Sequence, residues 1–300
     1  MNGMPFSVSI EPTTACNLRC PECPSGLRSF SRPTGSIDQA FFESFIRDNH
    51  AHLINLTFYF QGEPFIHPRF LDMVAYAASH QVFTSTSTNG HFLTEKMCTR
   101  VIESGLDRMI ISIDGADQET YASYRKSGEL EKVIEGTKTL LKARKKYGKG
   151  PEVLFQFLVV GPNEHQISEI ESLGEELGVD RVIFKTAQIY DFEHGSPLIP
   201  KEDRYSRYRK GADGRYHIKN PLDDQCWKMW HSCVITWDGK VVPCCFDKDA
   251  SHVMGDLKED SLETIWQSET YNRFRNAILR SRSEIDICKN CSEGTQVWAD

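Results

Sequence analysis

Cys16-Asn17-Leu18-Arg19-Cys20-Pro21-Glu22-Cys23-Pro24 sets three cysteines at spacing C-x3-C-x2-C, just after the short alternating run Phe6-Ser7-Val8-Ser9-Ile10-Glu11. Such spacing lets three thiolates converge on one small object. Structural zinc usually takes four protein ligands, and no fourth Cys or His lies within a few residues. Iron–sulfur clusters are also held by cysteine thiolates. A cubane held by only three leaves one iron open to a ligand that is not protein. A zinc knuckle and scattered core thiols are the plainer readings.

Outward from this stretch the chain alternates strand-like and helix-like segments. Apolar strand candidates lie near 6–11, 53–60, 82–88, 108–113, 153–160 and 181–186. Ile37, Phe41, Phe45 and Ile46 share one helical face, as do Ile167, Ile170, Leu173 and Leu177. Gly178 then ends the second of these helices as a left-handed cap. Alternating βα units predict an α/β fold with a parallel sheet and helices outside it. Six units close most of a barrel, a partial (β/α)6 architecture, over residues 1–189.

Active-site residues of barrels gather at the C-terminal ends of strands. Here those ends read as the Cys triplet, Gln61-Gly62-Glu63-Pro64, Ser87-Thr88-Asn89-Gly90, Ser112-Ile113-Asp114-Gly115 and Val160-Gly161-Pro162-Asn163. Turns alone favour such residues, but five in succession at one rim are harder to assign to turns. Gly62 lets backbone approach a ligand closely, and Glu63 suits an ammonium group. The alternative for Glu63 is a helix-terminus carboxylate, with Pro68 opening the next helix. Ser112 and Asp114 can accept from ribose hydroxyls or simply form an Asp-Gly turn. Asn163 is equally well read as a helix N-cap.

Residues 190–225 lose periodicity and read as a connector across the barrel mouth. In the last stretch, 226–300, Asp238-Gly239 marks a hairpin turn between Val234–Trp237 and Lys240–Val242. A helix is expected from about Leu262 to Leu279. Cys226 and Cys244 bracket the hairpin, and Cys288 and Cys291 form a C-x2-C, so four thiolates are available to one metal site. From chemistry alone zinc and [4Fe–4S] compete there. Cys98 reads as a core hydrophobe, Cys245 as pointing away from Cys244, and Cys233 as the substitute ligand.

Ten cysteines in short-spaced clusters suit metal better than a secreted disulfide framework. Net charge −7 argues against broad nucleic-acid binding. The N-terminus carries no signal-peptide pattern, and no apolar run approaches the ~20 residues that span a bilayer. A cytoplasmic protein, not bound to membrane, is expected.

The Cys triplet resembles the signature of the radical S-adenosylmethionine (SAM) family, and the resemblance covers roughly residues 6–188. It implies that Cys16, Cys20 and Cys23 hold a [4Fe–4S] cluster whose open iron binds SAM. Gly62, Glu63 and Pro64 look like the motif that holds the SAM amino group. Ser112 and Asp114 match the ribose-contacting strand, and Thr88 and Asn89 stand where the family lines the SAM and substrate cavity. Glu22 departs from the pattern, since many members carry there an aromatic residue that contacts adenine. The spacing C-x12-G-x4-C followed by C-x2-C resembles the twitch domain, the shortened form of the SPASM extension. That resemblance implies a second [4Fe–4S] cluster on Cys226, Cys244, Cys288 and Cys291.

The resemblance also implies mechanism and partners. An electron, from a donor such as flavodoxin or ferredoxin, cleaves SAM to methionine and a 5′-deoxyadenosyl radical, which takes a hydrogen atom from substrate. A closed auxiliary cluster suits electron transfer, giving a net two-electron oxidation. The expected substrate is a small molecule such as a cyclitol or sugar, because only about five residues precede the first strand and leave no room for a peptide-recognition domain. A maturase acting on a ribosomally made peptide and a zinc-stabilised binding protein are the alternatives. The residue taking the substrate proton is not identifiable from sequence.

Overall fold

Each of the six apolar runs forms a strand: β1 (Ser7–Ile10), β2 (Asn55–Phe58), β3 (Phe83–Thr88), β4 (Arg108–Ser112), β5 (Glu152–Val159) and β6 (Arg181–Thr186). The structure, a computed structural model, describes residues 3–291. The six strands pair in chain order and in parallel. Parallel neighbours need long crossovers, and helices supply them. α1 (Pro24–Leu27) and α2 (Gln39–Asn49) follow β1, α3 (Phe70–Ser79) follows β2 and α4 (Glu95–Ser104) follows β3. α5 (Gln118–Tyr124) and α6 (Leu130–Tyr147) follow β4, and α7 (Ile167–Leu177) follows β5.

Alternation along the strands separates two environments. Val8, Ile10, Leu56, Phe58, Met109, Ile111, Phe155 and Phe157 are buried in the main core with Phe42 and Ile46 of α2. On β1, β2 and β3 the intervening residues Ser7, Ser9, Asn55, Thr57, Ser85 and Ser87 are small and polar, and several bond to one another. Asn55 Nδ2 donates to Ser7 Oγ at 3.2 Å, and the Thr57 and Ser85 hydroxyls meet at 3.1 Å. Successive strand residues face opposite sides of the sheet, so over these three strands the side away from the helices is hydrophilic.

Several local expectations are corrected. In α2 Phe42 joins Phe45 and Ile46 in the core, while Phe41 is half-buried. α3 begins at Phe70 rather than Pro68, with a 3-10 turn over Pro64–Ile66 before it. The expected 262–279 helix is two, α8 (Leu262–Gln267) and α9 (Glu269–Ser281), numbered after the strands below. Ser268 breaks them in an extended conformation and caps α9, its hydroxyl accepting from Tyr271 N. Gly178 does cap α7, at φ 79°.

The connector forms a small hairpin, β7 (Tyr208–Lys210) with β8 (Tyr216–Ile218). Tyr208, Ile189 and Ile199 pack with Leu18, Cys20 and Tyr124, so the connector lies against the Cys16–Cys23 loop. The predicted 226–300 hairpin forms from β9 (Ser232–Ile235) and β10 (Lys240–Val242), with Gly239 at φ 91° in its turn. β9 also pairs in parallel with β1, Ser7 opposite Ser232 through Ile10 opposite Ile235. With β11 (Gly255–Asp256), the C-terminal segment thus extends the barrel sheet to nine strands. Residues 292–300 of that segment lie outside the described residues.

Candidate functional site

The loop from β1 carries Cys16, Cys20 and Cys23, and its neighbours fix its path. Glu63 N donates to Ala15 O at 2.8 Å, and Gly62 N donates to Ser25 Oγ at 2.8 Å. Gly62 sits at φ 77°, and a Cβ there would lie 2.1 Å from Thr13 O. The close approach that requires glycine is therefore to the backbone leading into the Cys loop. On the opposite side, Arg19 N donates to Lys126 O at 3.0 Å. Leu18 N points at Cys16 Sγ, 3.4 Å away, a donor suited to a thiolate.

Glu63 lies beside this loop, 2% exposed. Its Oε1 accepts from Thr88 Oγ1 at 2.7 Å and Phe65 N at 3.2 Å, and its Oε2 accepts from Asn89 N at 2.8 Å. Burial nevertheless pushes its carboxyl up to about 7, because three neutral donors do not replace water around a charge. The carboxylate thus caps the 3-10 turn at Pro64 and also bridges the ends of β2 and β3. Asn89 Nδ2 reaches Asn17 Oδ1 at 2.7 Å, which joins β3 to the Cys loop.

At the end of β4, Ser112 is buried and Asp114 is fully buried. One Asp114 oxygen accepts from Leu158 N at 2.7 Å and the other pairs with Arg125 Nε. Arg125 Nη1 in turn lies 4.0 Å from Cys20 Sγ. Sequence reasoning missed Arg125. An isolated Arg at the end of a short helix carries no local signal, and only the fold brings it beneath the Cys loop. Asn163 is fully buried and does not cap with its side chain. Its Oδ1 accepts from Val160 N at 2.8 Å and its Nδ2 donates to Asp114 O at 3.0 Å, tying the ends of β4 and β5 together.

A second set of thiols surrounds Arg282, which is 1% exposed. Arg282 Nη2 lies 3.1 Å from Cys291 Sγ and Nη1 donates to Gln225 O at 3.0 Å, beside Cys226. Cys226, Cys288 and Cys291 all lie within electrostatic reach of this guanidinium. Cys244 follows β10, and its Sγ faces Phe246 N at 3.4 Å. Cys233 lies buried on β9, Cys98 is buried on α4 and Cys245 is exposed.

Among the described residues, no three Cys, His, Asp or Glu side chains form a ready-made metal cage. The donor chemistry around both thiol sets nevertheless fits a cluster. Amide and guanidinium N–H groups point at sulfur, and Arg125 and Arg282 supply positive charge. The buried Tyr121 and Tyr271 hydroxyls have no partner among the described residues. Tyr121 lies within electrostatic reach of Cys20 and Glu63, and Tyr271 of Cys233, Cys244 and Cys226. An unpartnered buried hydroxyl is costly, and sulfur acceptors at these positions would remove that cost. Burial pushes the Cys16 thiol up to about 11 and the Cys288 thiol up to about 12. Binding a metal there displaces protons.

Comparisons with known proteins agree with this architecture. The radical SAM superfamily model matches residues 10–174, and the SPASM iron–sulfur cluster-binding domain matches residues 226–292. The chain belongs to the radical SAM superfamily and carries a C-terminal SPASM domain. These two domains bring SAM and more than one [4Fe–4S] cluster as cofactors.

Two relatives are similar along nearly all of the chain. The tungsten-containing aldehyde ferredoxin oxidoreductase cofactor-modifying protein of Pyrococcus furiosus is 28% identical, over 94% of this chain and 86% of its own. PqqA peptide cyclase of Gluconobacter oxydans is 24% identical, over 98% and 84%. Among solved structures, BtrN in complex with AdoMet and 2-DOIA has a TM-score of 0.59 at 20% identity, covering 98% of this chain and 95% of that one. Streptococcus suis SuiB bound to S-adenosylmethionine reaches 0.71 at 14%, covering 97% and 71%. The anSMEcpe structure with bound AdoMet reaches 0.68 at 19%, covering 96% and 83%. These structural likenesses bear on the fold. Among the described residues no helix is long and apolar enough to cross a membrane.

Proposed function

We propose that this chain is a radical SAM oxidoreductase that completes a net two-electron oxidation of a small molecule. Cys16, Cys20 and Cys23 hold the barrel cluster, and Cys226, Cys244, Cys288 and Cys291 hold a single auxiliary cluster, the twitch arrangement. When bound, the barrel cluster and SAM supply one-electron cleavage of SAM and abstraction of a substrate hydrogen atom. The auxiliary cluster, held by Cys226, Cys244, Cys288 and Cys291, would supply an acceptor for the substrate's second electron, and a protein base would take its proton.

The chain's own residues bind and orient. Glu63 holds the SAM ammonium group, exchanging partial solvation by three neutral donors for an ion pair. Gly62 and Pro64 keep that carboxylate against the Cys loop, and Thr88 and Asn89 fix its two oxygens. Ser112 takes the ribose side. Asp114 acts there through Arg125, whose charge it holds beside Cys20.

The observation carrying this reading is the presence of two separate thiol sets, each beside its own guanidinium, in a chain whose strands form one continuous sheet. The small-molecule reading is supported by the end-to-end match to BtrN, whose structure holds 2-DOIA. A peptide-modifying reading is favoured by the likeness to PqqA peptide cyclase. Anaerobic reconstitution tests the assignment of ligands. We expect about eight irons per chain, two cubanes, falling to about four when Cys16, Cys20 and Cys23 are replaced by Ala. Saturation of the wild type at four irons, with zinc as the remaining metal, contradicts the two-cluster assignment.

A further inference from the structure

Arg207 follows the connector's first turn and Lys248 lies just beyond Cys244, yet the fold brings them within electrostatic reach of each other. Both are half-buried. Arg207 Nε is used, donating to Thr186 Oγ1 at 2.8 Å and Thr186 O at 3.1 Å. Its Nη1 is buried and has no hydrogen-bond partner among the described residues. Lys248 Nζ has no carboxylate within ion-pair distance among those residues. It instead lies 4.8 Å from the centre of the Tyr190 ring. The Arg207 guanidinium lies 6.0 Å from the centre of the Phe246 ring.

Two cations within electrostatic reach of each other repel, and a buried N–H without an acceptor is costly. The neighbouring carboxylates do not resolve either problem. Asp249 is occupied by Ser31 N and Ser31 Oγ. Glu22 accepts from Tyr190 N at 3.0 Å and stands beyond ion-pair distance of Lys248. Lys248 is in electrostatic reach of Cys23, in the barrel thiol set, and of Cys245, the neighbour of Cys244. Aromatic rings flank both cations, and the exposed Tyr190 and Cys245 leave the place open to solvent.

We propose that Arg207 and Lys248 form the anion-binding end of the substrate site and select substrates that carry a carboxylate. The inference rests on the small-molecule oxidation reading and names its substrate class. The guanidinium gives the carboxylate direction through Nη1, and the ammonium gives a point charge. Glu22, itself in electrostatic reach of Lys248, repels an anion placed on its side.

The test uses reconstituted holoprotein with SAM present and succinate as the probe, read by saturation-transfer NMR against its neutral counterpart succinamide. Succinate should bind and succinamide should not. Lys248→Met and Arg207→Met should each weaken succinate binding about tenfold, the loss expected for one charge-assisted contact. Lys248→Met removes no hydrogen bond described here, so it keeps the test decisive if Arg207→Met fails to fold. Acetyl-triglycine binding more tightly than succinate, with the same loss in both variants, supports the pair and gives its carboxylate to a peptide. Equal binding of succinate and succinamide, undiminished binding in a folded Lys248→Met, or displacement of SAM by succinate overturns the proposal. Dithionite-driven SAM cleavage by the same preparation tests the underlying reading separately. Absence of cleavage in the wild type removes that reading, whatever succinate does.

Discussion

Glu63 packs at the ends of β2 and β3, and in the proposed function the same residue binds SAM. In the unfolded chain its carboxyl ionises near 4.5, whereas burial in the fold holds the proton until about 7. The folded pKa is the higher one, so folding takes up a proton between those values. Stability is therefore full below about 4.5 and declines as pH rises through about 7, by about 3 kcal/mol in all. In the proposed function the ammonium group of SAM recovers that loss, since it pairs with the ionised form. SAM affinity should rise with pH up to about 7 and then level off. Glu63→Ala should weaken SAM by about 1.5–3 kcal/mol and abolish the pH step. Titration calorimetry at several pH values checks both, and a Glu63→Ala protein with unchanged affinity would return this residue to its capping role alone.

At the scale of elements, the segment from the Cys loop to α2 is fastened to the C-terminal domain. Arg32 makes two bonds to Glu11 at the end of β1, of 2.6 and 2.8 Å, with both side chains nearly buried. Asp249 accepts from Ser31 N at 2.9 Å, and Trp237 Nε1 donates to Pro33 O at 3.2 Å. The loop that positions the barrel cysteines thus shares its anchors with the loop after Cys244. Arg32→Met leaves Glu11 charged, buried and unpaired, so it should cost about 3–5 kcal/mol. Urea unfolding of the anaerobic protein measures this. A cost near zero would mean that Glu11 finds solvent and the fastening is weak.

The strands and their order were legible because each apolar run is bounded by turn residues, and parallel topology follows from helices between them. The Cys spacing was legible because a three-thiolate site needs closely spaced ligands. Other features were hidden by distance in sequence. β9 pairs with β1 across more than two hundred residues, and nothing local in Ser232–Ile235 names its partner. Arg125 meets Asp114 and Cys20 only after α5 folds back. Asn163 looks like a cap locally, but its amide serves two strands. Arg282 has no motif of its own and acquires meaning from Cys291 and Gln225.

For the whole molecule, the central claim is a division of labour between two thiol sets on one continuous sheet. In that proposal the barrel set would hold the cluster that initiates chemistry and the auxiliary set the cluster that takes up an electron afterward. The most direct test is 5′-deoxyadenosine formation from SAM and dithionite by the anaerobic protein, with circular dichroism confirming the fold of each variant. Wild type should form it, Cys16→Ala with Cys20→Ala and Cys23→Ala should form none, and Cys288→Ala with Cys291→Ala should retain it. Formation by a folded barrel-triple variant, or its loss in a folded Cys288→Ala, Cys291→Ala protein whose barrel iron is intact, would contradict the account.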